Sequence, residues 1–271
     1  MLIFPNAKIN LGLQITEKLS NGYHAINSCL YPIPLKDALE FVPAKKKTAF
    51  NSSGSSIPSD GKDNLVIRAY KLLKKDFHLP ELNIHLHKNI PTGAGLGGGS
   101  SDAAFMLKAL SDYYQLFLDD SFLESYAAQL GSDCPFFIQN KPALASGTGT
   151  ELEPCNVNLS GYHLVLIHPG LHISTKEAYA GTTPKEPEHQ LKEILEKADI
   201  STWRETLVND FEESIFKKQP ILAEIKAELY EQGAIYAAMS GSGSSLFGIY
   251  KEQPPIIKAF SQKFFYRTMS L

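Results

Sequence analysis

Apolar and polar residues alternate along residues 7–15, where Ala7, Ile9, Leu11, Leu13 and Ile15 are interleaved with Lys8, Asn10, Gly12 and Gln14. A period of two predicts a half-buried β-strand with Lys8 and Asn10 on one face, and a solvated face is the ordinary reading of such a lysine. After a turn at SNGYH the pattern weakens into further strand as far as Val42. A polar loop, KKKTAFNSSGSS, follows, and its lysines suit a wet hairpin tip. In DNLVIRAYKLLKKDF, Leu65, Ala69, Leu72 and Leu73 recur at helical spacing behind an acidic first turn opened by Asp63. LNIHLHK returns to alternation and runs directly into PTGAGLGGGSSDAAFMLKAL. His85 and His87 suit the polar face of that strand better than a metal pair, since no third ligand is near in sequence.

Beyond residue 160 the order changes: YHLVLIHP reads as a strand, residues 190–232 as helices, AIYAAMS and SSLFGIY as strands around SGSG, PPIIKAFSQKFF as a helix and YRTMSL as a last strand. The series β, α, β, β, α, β is the split-βαβ signature of a ferredoxin-like domain. The polar stretch PCNVNLSG before it places a domain boundary near Ser160, giving domains of 1–159 and 160–271.

With 271 residues, 43% hydrophobic and 20% charged, the chain is a folded globular protein of one large or two moderate domains. Its 26 basic and 29 acidic side chains leave no global field to hold a polyanion, so nucleic acid is not an expected partner. Cys29, Cys134 and Cys155 are too scattered for a disulfide framework or a CxxC zinc site and fit a reducing, cytoplasmic setting. MLIFPNAKINLGLQI lacks a basic leader region, and no apolar run reaches the roughly 18 residues of a membrane span, so neither export nor a membrane partner is expected.

The densest chemical signal is the glycine run: Gly93, Gly95, Gly97, Gly98 and Gly99 lie between Pro91 and the Ser100-Ser101-Asp102 start of an Ala-rich helix. Glycines admit positive φ and bring backbone N–H groups close to a ligand, while a helix start adds unpaired donors and partial positive charge. Such a place binds phosphate. It lacks the lysine of GxxxxGK[ST]. Gly93, Gly95 and Gly98 also spell GxGxxG, but the alternating strand before them does not match the doubly buried strand of a dinucleotide-binding unit.

PTGAGLGGGSSDAA closely resembles the ATP-phosphate loop of the GHMP small-molecule kinases; AKINLGL at residues 7–13 resembles that family's first motif and AIYAAMSGSGSSLFG at 234–248 its third. GYH at 22–24, DNL at 63–65 and GSDCPFF at 131–137 carry the likeness along the whole chain, whereas GTGTELEP at 147–154 departs from the commoner GxGE pattern. The resemblance implies an α+β fold of two domains, an amino-terminal one like the second domain of ribosomal protein S5 and a ferredoxin-like carboxyl-terminal one, with the site in the cleft between them. It implies ATP-dependent phosphorylation of the 2-hydroxyl of 4-diphosphocytidyl-2-C-methyl-D-erythritol, in the methylerythritol route to isoprenoid precursors.

By the same resemblance Lys8 and Asp133 are the catalytic pair, Asp133 accepting the hydroxyl proton and Lys8 holding that carboxylate ionised. Asp133 as a helix cap before Cys134-Pro135 stands as an alternative, compatible with the first. ATP is expected on Asn64, Pro91, Thr92, Gly93, Ala94, Gly95, Leu96, Gly97, Gly98, Gly99, Ser100 and Ser101, although Asn64 could equally be a helix-start residue. Asn10 is expected on the erythritol hydroxyls, Tyr23 and His24 at the cytidine, and Thr175 and Tyr179 facing the substrate; turn packing after Asn21-Gly22 also accounts for Tyr23 and His24. Mg²⁺ is expected to arrive with ATP, with Ser100 or Ser101 touching it and no dedicated metal cage. SGSG at 240–243 either closes on the phosphate loop or forms a tight hairpin turn. Another GHMP kinase, acting on homoserine, mevalonate or a sugar, and a non-catalytic nucleotide-binding homologue are the rival readings, and both a monomer and a homodimer are open.

Overall fold

A computed structural model of the chain describes residues 1–57 and 63–271. In chain order the elements are β1 (Leu2–Ile3), β2 (Asn6–Lys18), β3 (His24–Lys36), β4 (Ala38–Pro43), β5 (Ala49–Gly54), α1 (Leu65–Phe77), β6 (Leu82–Lys88) and α2 (Gly98–Tyr113). Then come α3 (Asp120–Ala128), α4 (Phe136–Gln139), β7 (Ala143–Ser146), β8 (Glu151–Pro154), β9 (His163–His168), α5 (Thr175–Ala180), α6 (Leu191–Lys197) and α7 (Trp203–Thr206). The last are α8 (Glu212–Lys218), α9 (Pro220–Glu231), β10 (Tyr236–Met239), β11 (Leu246–Tyr250), α10 (Lys258–Ser261) and β12 (Phe265–Ser270).

Two compact units organise these elements. The first comprises Met1–Lys8, Leu35–Thr92 and Gly97–Lys141. Its sheet has the order β1-β4-β6-β5, with β5 parallel to β6 and the other pairs antiparallel. Leu82, Ile84 and Leu86 of β6 are buried while Asn83, His85 and His87 are exposed, as the alternation predicts. On the outer face His85 and His87 both meet the hydroxyl of Ser53, at 3.0 and 2.9 Å, and no group of three or more candidate metal ligands occurs among the described residues. β5 corrects the expected polar loop: residues 49–54 have no alternation because they form an edge strand, paired on one side only and mostly exposed. Asn64, and not Asp63, caps α1, accepting from Val66 N at 2.9 Å.

The second unit, Ile9–Pro34, Gly93–Leu96 and Pro142–Leu271, holds the sheets β2-β3-β7-β8 and β10-β11-β9-β12. The latter is antiparallel throughout, and its third strand lies between the first and second, which is the ferredoxin-like arrangement expected. Val165, Ile167, Ala237, Met239, Leu246 and the helical Leu222, Ile225 and Leu229 share one core with Leu13 and Ile15 of β2. This grouping divides the chain elsewhere than at Ser160, because β2, β3, β7 and β8 cluster with the carboxyl-terminal half. The helix expected over PPIIKAFSQKFF shrinks to the four residues of α10, whose cap position, Ile257, offers no side-chain hydrogen bond.

β2 also departs from expectation, since its polar face is buried. Lys8 and Asn10 are each 4% exposed and Gln14 8%. Asn10 donates to Ser28 Oγ at 2.8 Å, Gln14 donates to His189 O at 3.1 Å, and a Cβ on Gly12 would lie 2.6 Å from Leu207 and 2.8 Å from Leu191. Protein and not water covers that face, so each polar side chain there needs a partner.

Candidate active site

In the first unit, Lys88 ends β6 on the parity of Leu82, Ile84 and Leu86 and therefore points inward. Its ammonium pairs with Asp37 and, at 2.8 Å, with Asp102, all three being buried. Asp37 Oδ1 accepts from the backbone N–H groups of Asn89 and Ile90 at 2.6 and 2.8 Å. One ionic cluster therefore fixes the chain where it enters the glycine loop and, through Asp102 in α2, where it leaves. Burial first, and then the adjacent Asp37, push the Asp102 carboxyl up to about 7 against the pull of Lys88, and its Oδ1 has no hydrogen-bond partner among the described residues. Burial lowers Lys88, but its two carboxylates override this and raise it above the usual lysine range.

The helix start itself is shifted from the serines. Gly97, at φ +68°, occupies the cap position of α2, and Ser101 N makes the first bond back to Gly97 O at 2.9 Å. The amides of Gly98, Gly99 and Ser100 thus have no intrahelical acceptor and are the donors a phosphate needs. A Cβ on Gly97 would sit 3.0 Å from the Phe137 ring and 3.1 Å from Lys8 Cγ, so the glycine lets Lys8 pass beneath the loop. Lys8 Nζ lies 3.5 Å from Asp133 Oδ2. Asp133 sits in the turn before α4 while Pro135 takes the cap position, so the capping alternative for Asp133 does not hold. Its side chain is 36% exposed, open to a ligand, while the Lys8 side chain is 5% exposed. Ser101 Oγ is fully buried with no hydrogen-bond partner among the described residues, and Ser100 Oγ interacts with the buried Cys134 thiol, which burial pushes up to about 11. Pro91 and Thr92 belong to the same unit, the Thr92 hydroxyl donating to Ser56 O at 3.3 Å.

In the second unit, Gly93, Ala94, Gly95 and Leu96 meet the turn between β10 and β11. Ser240 Oγ donates to Gly95 O at 2.8 Å, and Ser245 N donates to Ala94 O at 3.2 Å. SGSG is therefore at once the hairpin turn and a contact of the glycine loop. Asn10 Oδ1 lies 3.5 Å from Ser240 Oγ, so this side chain links β2, β3 and that turn. His24 stacks on Tyr179 with ring centroids 4.8 Å apart and planes 11° from parallel, and Phe211 meets Tyr179 edge-on at 5.0 Å. Tyr23 stands 67% exposed in a turn where its N–H binds Asn21 Oδ1 at 3.0 Å. Thr175 is exposed at the first position of α5, which Ser174 caps.

Sequence reasoning did not single out Asp37, Lys88, Asp102, Asn209 or Glu212. For Lys88 the signal was present in its parity with three buried aliphatics; for Asn209, just before α8, and Glu212, its first residue, nothing local distinguishes them from an ordinary helix start.

The description "GHMP kinases N terminal domain" matches residues 64–141 and "GHMP kinases C terminal" matches residues 189–266. A curated relative from Bacteroides thetaiotaomicron, 4-diphosphocytidyl-2-C-methyl-D-erythritol kinase, is 52% identical over 256 residues, 93% of each chain. The chain belongs to the 4-diphosphocytidyl-2-C-methyl-D-erythritol kinase family of the GHMP kinases. A crystal structure of 4-(cytidine 5'-diphospho)-2C-methyl-D-erythritol kinase matches this family member with a TM-score of 0.82 and 30% identity over 99% of this chain and 98% of the other. Homoserine kinase from Cytophaga hutchinsonii matches with a TM-score of 0.69 over 98% and 94%, but at 15% identity it shares the fold alone. The family assignment makes this a GHMP-fold phosphotransferase, with ATP as the group donor implied by the family. No helix among the described residues is long and apolar enough to cross a membrane.

Proposed function

We propose that this kinase transfers the γ-phosphoryl group of ATP to the 2-hydroxyl of 4-diphosphocytidyl-2-C-methyl-D-erythritol, in the methylerythritol route. The observation that carries the reading is the Lys8–Asp133 pair, 3.5 Å apart beside the helix-starting glycine of a phosphate-binding loop. Backbone donors of residues 91–101 cradle the triphosphate, and Asn64 helps seat the adenosine from the start of α1. Asp133 accepts the proton of the attacking hydroxyl while the buried ammonium of Lys8 keeps it ionised and counters charge growing on the transferred group. The His24–Tyr179 stack offers an aromatic plane for the cytosine ring, Tyr23 and Thr175 are further substrate contacts, and Asn10 orients the erythritol chain.

The buried, unpartnered Ser101 hydroxyl in the first turn of α2 fits a protein ligand to Mg²⁺, with Ser100 its alternative; the remaining ligands would come from the nucleotide. Bound there with the nucleotide, the ion would supply charge neutralisation to the transferring phosphoryl group. The cytoplasm is the compartment that suits three free, buried cysteines. The domain boundary near Ser160 is our reading of the polar stretch that precedes β9.

Asp133→Asn keeps shape and removes the base. Turnover is expected to fall by roughly 10²–10⁴-fold with ATP binding retained. A coupled ADP-release assay across the cytidylyl acceptor, homoserine and mevalonate reads both points. Undiminished turnover ends the base assignment, and faster turnover on either other acceptor ends the substrate assignment.

A further inference from the structure

The segment Asn209-Asp210-Phe211-Glu212 follows α7 and enters α8 at Glu212, and it includes none of the expected site residues. It is anchored to β2: Leu13 N donates to Val208 O at 2.9 Å, Asp210 N to Leu13 O at 2.8 Å, and Ile15 N to Asp210 Oδ2 at 2.8 Å. Asn209 is 4% exposed, and its amide group is filled with bonds. Its Nδ2 donates to Met239 O at 2.7 Å and to Gly241 O at 2.9 Å, and its Oδ1 accepts from Phe211 N at 3.0 Å. Glu212 takes the other backbone group of Met239, accepting from Met239 N at 2.7 Å, and is itself held by Lys226 at 2.5 Å. Met239 and Gly241 bracket Ser240, whose hydroxyl reaches Gly95 O of the phosphate loop at 2.8 Å. Phe211, in the same segment, supports the edge of Tyr179, which stacks on His24.

We propose that Asn209 is a positioning residue for the nucleotide loop and Phe211 a positioning residue for the acceptor's aromatic seat, so that one short segment tied to β2 sets both halves of the site. The inference rests on the kinase reading above. It follows from the donor count: only an amide presents two N–H groups to two carbonyls and an acceptor to its neighbour's N–H. Asn209→Asp has the same shape but turns an acceptor-only oxygen toward Met239 O and Gly241 O, forcing the turn that carries Ser240 away from Gly95. Phe211→Leu keeps the apolar volume and removes only the ring edge behind Tyr179.

The test is calorimetric titration of the full-length wild type and both variants, once with a nonhydrolysable ATP analogue and Mg²⁺ and once with the cytidylyl acceptor. Asn209→Asp is expected to weaken the analogue by roughly tenfold or more with acceptor affinity held within about twofold. Phe211→Leu is expected to do the reverse, weakening the acceptor by roughly three- to tenfold. A merely structural role would move both ligands together. If Asn209→Asp does not fold, Ser240→Ala takes its place, removing the hydroxyl that holds Gly95 O at 2.8 Å together with its longer 3.5 Å contact to Asn10 Oδ1, and analogue affinity is expected to drop several-fold more than acceptor affinity. Parallel losses for both ligands, or no loss for either, overturn the proposal while leaving the kinase reading intact. A wild type that binds neither ligand overturns both.

Discussion

Gly95→Ala tests the contact between the phosphate loop and the β10–β11 turn most directly. Gly95 has φ +79°, and a Cβ there would lie 2.0 Å from Ser240 O, 3.0 Å from Ser240 C and 3.2 Å from Gly243 O. Left-handed backbone costs alanine about 1 kcal/mol. The collision adds more, because its partner is backbone and no rotamer change relieves it. The turn must withdraw by about 1 Å, which breaks the bonds Ser240 Oγ to Gly95 O at 2.8 Å and Ser245 N to Ala94 O at 3.2 Å. Each is worth about 1 kcal/mol. The total, about 3 kcal/mol, falls on the loop geometry that binding requires and corresponds to a roughly 100-fold loss of nucleotide affinity. Gly161→Ala separates strain from collision: its φ is +87°, but a Cβ there meets nothing within 4 Å. That control is expected to lose about 1 kcal/mol of stability and no affinity. Calorimetry with a nonhydrolysable ATP analogue, paired with thermal melts, reads both variants. Gly95→Ala binding within threefold of wild type would refute the argument.

Two further outcomes follow from buried groups. Asp102 is protonated more readily in the fold than in the unfolded chain, its carboxyl standing at about 7. Its contribution is therefore complete below the unfolded value near 4 and is lost as pH rises through about 7. Asp102→Asn lacks that loss, so its stability relative to wild type should rise across this window by a few kcal/mol at most, read by melts in chelator; a flat difference would be inconsistent with a buried second carboxylate. Cys134, pushed up to about 11 by burial, should be only about one part in a thousand ionised at pH 8, so native-state alkylation should leave it intact; rapid labelling would show the thiol to be accessible.

How far the sequence reaches depends on whether a residue's partners are local. The glycine loop was legible because positive φ at Gly93, Gly95 and Gly97 is a demand of the backbone itself. The ferredoxin-like order was legible because strand and helix periods are short. Parity placed Lys8 and Asn10 on one face of β2, yet period alone cannot say whether that face meets water or protein, and it is buried here. The same parity rule, applied to Lys88 after Leu82, Ile84 and Leu86, points a lysine inward, where charge demands carboxylate partners; that inference was available from seven residues. Its partners were not, since Asp37 lies 51 positions away and is buried between β3 and β4. Asn209 goes further: its two acceptors stand 30 and 32 residues downstream, and its sequence neighbourhood is that of any helix start. Residues that touch ligands sit in motifs because the ligand imposes a fixed geometry on neighbouring backbone. Residues that hold those motifs in place satisfy donors and acceptors set by the tertiary fold, so only a structure exposes them, and the Asn209 and Phe211 variants ask whether such residues divide the site's two affinities between them.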